Sequence, residues 1–196
     1  FLIRTLHRAG HFVIEGEPLA LAHPAARVSD EAAETIGEAF VTGPDRTDTQ
    51  DPEFAVDQLV EVALRALSPG INDPFTAINC IDRLGGALAY LARRRLPPAY
   101  RCDDDGNLRL VTDPITYAGV VDAAFNQIRQ AAADNPAVAI RVLECIRAVA
   151  SRELPDAMRD ALGRQAAPEF AVEHDREDLE ARYAEARDAL EGSDSV

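Results

Sequence analysis

Hydrophobic positions return every three to four residues over most of the chain after residue 50, with polar residues between them. This spacing places the apolar side chains on one face of a helix, which can then be buried. In the first two stretches the polar residues form only a narrow stripe, which is typical of helices at the centre of a domain. The pattern predicts four long helices, at about 52–67, 74–94, 114–133 and 136–152.

An Asp or Asn followed by proline precedes each of the four long helices. The Asx side chain accepts a hydrogen bond from a free N–H of the first turn. Proline fits the first helical position because its nitrogen needs no intrahelical partner there. The four pairs are Asp51-Pro52, Asp73-Pro74, Asp113-Pro114 and Asn135-Pro136. They predict where the helices begin.

Three further helices are predicted from shorter amphipathic patterns. The first is capped by Ser29 or Asp30 and runs to about Ala39. The second runs from Pro155 to about Gly163, and the third, which is heavily charged, from His174 to Leu190.

Alternation of apolar and polar residues, the period of a strand, is confined to short segments. A hairpin is predicted within Leu2–Ala22, because His11–Ile14 and Pro18–Ala22 flank a turn that contains glycine. Phe40–Thr42 is predicted as a short strand. A second hairpin is predicted across the acidic turn between Tyr100–Cys102 and Leu108–Val111.

These elements predict a mainly α fold: a helical bundle around a central antiparallel helix hairpin, with a small β-containing N-terminal segment and a second short β-hairpin. The central hairpin consists of the first two long helices, joined by residues 68–72. The predicted division is a β-rich segment at 1–43, a helical domain at 44–191 and a frayed tail at 192–196.

Charge and composition exclude several classes of function. A net charge of -14 argues against nucleic acid as a partner, since phosphates attract a basic surface. All 20 basic residues are arginine, so mechanisms that require lysine, such as a Schiff base or a lipoyl or biotinyl carrier, are excluded. Three widely separated cysteines indicate a reducing compartment. No stretch reaches the roughly 18 apolar residues of a membrane span, and no cofactor is predicted.

Polar residues before the first two long helices predict a site for a small ligand. Helix N-termini with free amides and a nearby arginine suit an anion or another polar ligand. The alternative is that these polar groups only satisfy backbone hydrogen bonds in the loops. The candidate ligand-binding residues are Arg46, Thr47, Gln50, Asp51, Asn72, Asp73 and Thr76.

Histidines near the first strands are weaker candidates for a metal site. His7 and His11 are four residues apart and share a face if the segment is extended, and His23 could lie across the hairpin. No cysteine lies nearby and no acidic residue stands at a diagnostic spacing. Surface histidines are therefore the preferred interpretation, and no metal is predicted.

One stretch resembles a known family. The sequence DPEFAVDQLVEVALRALSPGINDPFTAINCIDRL, with RTDTQ before it and GHFVIEGEPLA further upstream, is similar to the predicted integral membrane proteins grouped as domain of unknown function 2254. The similarity is strongest over residues 43–85. It implies membrane-spanning helices before Phe1, an inner or plasma membrane location, and a soluble, cytoplasmic C-terminal portion. It implies no activity and no catalytic residues.

Three hypotheses about function follow. The preferred one is a non-enzymatic domain that assembles subunits as a homo-oligomer and senses a small ligand or ion. The second is an enzyme with a polar site around residues 46–82, in which Asp51 or Asp73 acts as base, Asn72 and Gln50 orient the substrate, and Arg46 binds an anion. The third is a regulatory domain of a transporter or channel.

Overall fold

The computed structural model describes residues 1–166, 181 and 184–188. Packing divides these residues into two compact units that do not follow chain order. Unit 1 contains Phe1–Phe54 and Leu96–Ile115, and unit 2 contains Ala55–Arg95 and the described residues from Thr116 onward. The sequence-based division at residues 43 and 191 stays a prediction, and the tail at 192–196 lies outside the described residues.

A four-stranded mixed sheet forms the centre of unit 1, with the strand order β2-β1-β4-β3. Its strands are β1 (Leu2–Thr5), β2 (Ala20–His23), β3 (Tyr100–Cys102) and β4 (Leu108–Val111). The pairs β1–β2 and β3–β4 are antiparallel. The β3–β4 pair is the predicted second hairpin, whereas the first predicted hairpin is wrong, because β2 pairs with Leu2–Thr5 and not with His11–Ile14. The hairpins are joined by a parallel pair, β1–β4, in which Ile3 lies opposite Leu110. The sequence pattern did not predict this pairing.

Two predicted strands of unit 1 are wrong. His11–Ile14 is irregular, and the strand that pairs with β1 begins only at Ala20. The segment alternates but lacks a partner strand, and Phe12 is 87% exposed. Phe40–Thr42 is irregular for the same reason, since Val41 is 96% exposed. Alternation predicts a strand only where one face is buried against a neighbour.

Unit 1 also contains one short α-helix, α1 (Asp30–Glu38), as predicted. Ser29 caps it by accepting a hydrogen bond from the Ala32 backbone N–H at 3.2 Å. A single 3-10 turn, Ala25–Arg27, connects β2 to this helix.

Helices form unit 2, which confirms the mainly α fold with small β segments. The helices are α2 (Pro52–Leu67, whose first turn belongs to unit 1), α3 (Pro74–Leu91), α4 (Tyr117–Ala131), α5 (Pro136–Ala150) and α6 (Asp156–Gln165). The most extensive helix packing is between α3 and α5 and between α4 and α6. Phe125, Leu84 and Ile146 are fully buried, and each such side chain stabilises the fold by about 1.5–3 kcal/mol.

The predicted helix starts are confirmed at three of the four Asx–Pro pairs. Asp51, Asp73 and Asn135 each accept a hydrogen bond from the third helical residue at 3.2–3.3 Å. The fourth prediction is wrong, because α4 begins only after Thr116, whose hydroxyl accepts from the Gly119 backbone N–H at 3.0 Å. A competing cap two residues after the Asp113-Pro114 pair therefore sets the start of this helix.

The predicted C-terminal helix lies mostly outside the described residues. Residues 181 and 184–188 are helical, in agreement with the prediction for His174–Leu190. His174 itself is not among the described residues.

Candidate functional site: a cleft in unit 1

A cleft of about 320 Å³ lies in unit 1 where the parallel strands β1 and β4 end and helix α2 begins. In sheets with parallel strands, ligands bind outside the carboxyl ends of the strands, often at a helix N-terminus. The cleft combines both features. Its lining residues are Thr5, His7, Arg8, Ala9, Gln50, Asp51, Pro52, Glu53, Pro97, Arg101, Thr112, Asp113, Pro114 and Ile115.

One face of the sheet supplies the polar groups on one side of the cleft. The parallel register places Thr5 beside Thr112, each following the last paired residues of its strand. Arg101 lies opposite Leu110, two residues before Thr112. Because side chains alternate between the faces of a strand, Thr5, Thr112 and Arg101 share a face. The cleft thus receives two hydroxyl groups and a guanidinium from three neighbouring strands.

Asp51 is held firmly at the start of α2. Its side chain is 5% exposed, and Oδ1 accepts a hydrogen bond from the Phe54 backbone N–H at 3.2 Å. Oδ2 accepts one from Nε of Arg46 at 2.7 Å, and the same guanidinium lies 5.1 Å from the ring centroid of Phe54. Since both carboxylate oxygens have donors, Asp51 is suited to positioning the helix rather than to taking a proton from a substrate.

Gly10 packs directly against this carboxylate. It has a φ of +85°, and a Cβ built there would lie 1.9 Å from Oδ2 of Asp51 and 3.1 Å from Nε of Arg46. Glycine is therefore required for two reasons: the backbone conformation and the lack of space. This contact fixes the loop after β1 against the start of α2.

An ion pair also ties these two segments together. Nη2 of Arg8 lies 2.5 Å from Oε2 of Glu53, with side chains that are 30% and 16% exposed. Nε of Arg8 also donates a hydrogen bond to Nε2 of His11 at 3.1 Å. Arg8–Glu53 thus joins the loop after β1 to the start of α2, and Arg46 holds the Asp51 carboxylate against which Gly10 packs, which makes this part of the cleft preorganised.

The seven predicted ligand-binding residues are divided between the two units. Gln50 and Asp51 line the cleft, and Arg46 contacts Asp51 from the adjoining loop. Thr47 is exposed in the same loop. Residues 72, 73 and 76 belong to unit 2, and their role in binding stays a prediction.

The residues in unit 2 form the capped start of α3. Asp73 accepts a hydrogen bond from the Thr76 hydroxyl at 2.6 Å and another from the Thr76 backbone N–H at 3.2 Å. These two bonds, the hydroxyl bond above all, lower the pKa of Asp73. Asn72 adopts a positive φ of 49° in the turn before it. A carboxylate engaged in this way stabilises the helix start but is a poor base.

The three histidines are not gathered into one group. His7 and His11 are in edge-to-face contact, with ring centroids 6.2 Å apart. His23 pairs with Leu2, at the opposite end of the β1–β2 ladder from Thr5. Among the residues that the structure describes, no group of three or more His, Cys, Asp or Glu side chains is placed to hold a metal ion.

Arg8, Arg101 and Thr112 were not predicted as site residues. The sequence signal was weak and concerned Thr112 alone: the polar pair Thr112-Asp113 follows β4 before a proline, and ligands bind outside the carboxyl ends of parallel strands. This signal identifies a site only when the parallel pairing of β1 with β4 is known, because that pairing brings together segments that are about a hundred residues apart.

Comparison with known proteins gives a family and no activity. A family described as "Predicted membrane protein (DUF2254)" matches residues 1–148. The chain belongs to this family. Uncharacterized proteins of Mycobacterium bovis and Mycobacterium tuberculosis are each 35% identical to it over 156 residues, which is 76% of the chain and 30% of the relative. The chain therefore spans about 30% of the length of the curated relatives it matches.

No solved structure matches the chain. Within the described residues, no helix is both long enough and apolar enough to cross a membrane.

Proposed function

We propose that this chain is the ligand-sensing part of a membrane protein and that the cleft in unit 1 binds a small polar molecule. The observation that carries the proposal is the cleft itself. It lies at the ends of two parallel strands and the start of a helix, and it contains hydroxyl, amide and guanidinium groups. A volume of about 320 Å³ suits a metabolite rather than a polymer.

Helix α2 is the element through which occupancy of the cleft would be transmitted. Its first turn lines the cleft, and residues 55–67 of the same helix belong to unit 2. A ligand that stabilises one position of the first turn also biases the rest of a continuous helix. The continuity of this helix supports a sensing role that requires no reaction.

The enzyme hypothesis is second to this proposal. Asp51 lines the cleft, but both of its carboxylate oxygens are engaged by Arg46 and by the helix backbone. Asp73, the other proposed base, is engaged by Thr76 and lies in unit 2. Regulation of a transporter or channel is one form that sensing would take in a membrane protein.

Affinity selection with a blocked cleft tests the proposal. The purified chain is incubated with a mixture of organic acids, amino acids, sugars and nucleotides, and retained compounds are identified by mass spectrometry. Gln50→Trp places an indole at an exposed position of the cleft lining, whereas Glu15→Trp adds the same group at an exposed turn away from the cleft. The natural chain contains no tryptophan, so fluorescence also reports each indole's environment.

Retention by the natural chain and by Glu15→Trp, with loss in Gln50→Trp, is the expected result. Equal retention by both variants would place the ligand elsewhere. If the natural chain retains none of the compounds, the sensing proposal is wrong.

A cytoplasmic location is part of the proposal. All three cysteines are free thiols, which suits a reducing compartment. In the full-length protein, Cys102 is an exposed reporter. We expect a membrane-impermeant maleimide to label it only after the cells are opened, and labelling in intact cells would contradict this location.

Subunit assembly is kept as a second proposal because β3 is an end strand of the sheet and all three of its residues are exposed. An unpaired strand edge is a template for pairing with a second copy. Tyr100, which is 66% exposed, would lie in such an interface. Sedimentation equilibrium should show a dimer that Tyr100→Glu dissociates, and a natural chain that stays monomeric at all concentrations would rule the assembly out.

A further inference from the structure

The ion pairs at the cleft leave little charge available to a ligand. Arg8 is paired with Glu53, and Arg46 is paired with Asp51. Each guanidinium offsets the carboxylate beside it, so neither pair presents a full charge to a ligand.

Arg101 differs from these arginines. Its side chain forms no hydrogen bond or ion pair with any residue in the described part of the chain. It stands on the same face of the sheet as Thr5 and Thr112 and lines the cleft with them. A guanidinium presents paired N–H donors that match two oxygens of one carboxylate or phosphate group. The Thr5 hydroxyl adds a further donor, whereas the Thr112 hydroxyl donates to the Ala99 backbone oxygen at 3.5 Å.

The charge of the lining favours a carboxylate over a phosphate. Outside the two ion pairs, the lining holds one arginine, which neutralises one negative charge, and one carboxylate, that of Asp113. A phosphate group with nearly two charges would leave one of them uncompensated near this carboxylate.

The rest of the lining indicates what the carboxylate is attached to. Five apolar residues contribute to the wall: Ala9, Pro52, Pro97, Pro114 and Ile115. They suit a short hydrocarbon portion, and the volume of about 320 Å³ is at the lower end of the range for small-molecule sites.

From these observations we propose that the cleft binds a small organic monocarboxylate, with its carboxylate on Arg101 and its hydrocarbon portion against the proline-rich wall. This inference rests on the proposed ligand-sensing function and specifies the class of ligand. The hydroxyl groups of Thr5 and Thr112 accommodate a hydroxyl or oxo substituent next to the carboxylate.

NMR titration of the natural chain with four probes tests the ligand class. Butyrate and lactate carry the proposed carboxylate, 1-butanol keeps the hydrocarbon of butyrate without the charge, and inorganic phosphate keeps the charge without the hydrocarbon. We expect butyrate or lactate to bind at least tenfold more tightly than either contrasting probe. Tighter binding of phosphate would overturn the assignment to a carboxylate.

Variants of Arg101 test the residue. Arg101→Gln should weaken binding of the preferred carboxylate at least tenfold, and Arg101→Lys should give an intermediate affinity because it keeps the charge but not the paired donors. Arg4→Gln, at an exposed position of β1 on the opposite face, removes the same charge outside the cleft and should change nothing. Amide spectra of each variant show whether the fold is retained.

The failures of the two proposals are distinguishable. If 1-butanol or another uncharged compound binds in the cleft and carboxylates do not, the monocarboxylate assignment is wrong and the sensing proposal stands. If Arg101→Gln binds the carboxylate as tightly as the natural chain, the assignment to Arg101 is wrong. If no compound binds in the cleft, both proposals fail.

Discussion

Replacing Gly10 with alanine tests how the loop after β1 is held against the start of α2. The added methyl group would lie 1.9 Å from the Asp51 carboxylate oxygen, so the carboxylate must move. The movement also disturbs its hydrogen bonds with Arg46 and with the Phe54 backbone N–H. Both the cap and a partly buried ion pair are weakened by this single substitution.

The expected magnitude follows from two contributions. A residue with a Cβ costs about 1–2 kcal/mol at positive φ. The second contribution is the disturbance at Asp51, where loss of a helix N-cap costs about 1 kcal/mol and weakening of the partly buried ion pair with Arg46 adds to this. Gly10→Ala should therefore destabilise unit 1 by about 2–4 kcal/mol. Gly16 also has a positive φ, of 92°, but no atom lies within 4 Å of its built Cβ. Gly16→Ala should show only the first contribution.

Native-state hydrogen exchange of the β1 amides and of the Phe54 amide measures the difference. We expect exchange in Gly10→Ala to be about 5–30 times faster than in Gly16→Ala, which corresponds to about 1–2 kcal/mol. Equal exchange rates in the two variants would show that Asp51 moves aside without cost, and the proposed clamp between the loop and α2 would be wrong.

Three further outcomes are expected from buried and charged groups. A Cβ at Gly85 would lie 2.3 Å from Sγ of Cys145, so Gly85→Ala should lower the free energy of unfolding in urea by about 1–3 kcal/mol. At Gly86 no atom lies within 4 Å of a built Cβ, so Gly86→Ala should stabilise the helix by up to about 1 kcal/mol. Burial raises the pKa of the Cys145 thiol to about 11, so at pH 8 it should react with a disulfide reagent far more slowly than the exposed cysteine, and equal rates would contradict its burial. The hydrogen bond from Arg109 lowers the pKa of Asp103 to about 2. The contribution of this carboxylate to the stability of the fold is therefore complete above a pH of about 4 and is lost as the pH falls toward about 2. Arg109→Gln should raise the pKa of Asp103 in an NMR titration.

Helix starts were predictable because their causes are local. Asp51 and Asn135 cap α2 and α5 from positions adjacent in sequence, and each is followed by proline. The start of α4 was mispredicted because two capping signals lie close together, and the helix begins after Thr116 and not after Asp113. Local rules thus identify the helices but do not always choose between neighbouring caps.

The cleft was not predictable as a whole because it depends on a non-local pairing. Gln50 and Asp51 were identified from their place before α2, while Arg101 was not, since its position in the cleft requires β4 to pair with β1. Such a pairing joins residues far apart in the chain, and no short turn between the two strands indicates it in the sequence. His11–Ile14 shows the opposite limit: it has the alternating pattern of a strand but no neighbouring strand to pair with, so it is irregular.

Mapping the ligand by NMR is the most direct test of the claim that unit 1 contains the binding site. Backbone amide signals of the natural chain are followed while the most tightly bound carboxylate is added. The cleft predicts shifts concentrated at residues 5–9, 50–53, 97–101 and 112–115. Shifts centred on Asn72–Thr76 at the start of α3 would instead place the ligand in unit 2 and contradict the account.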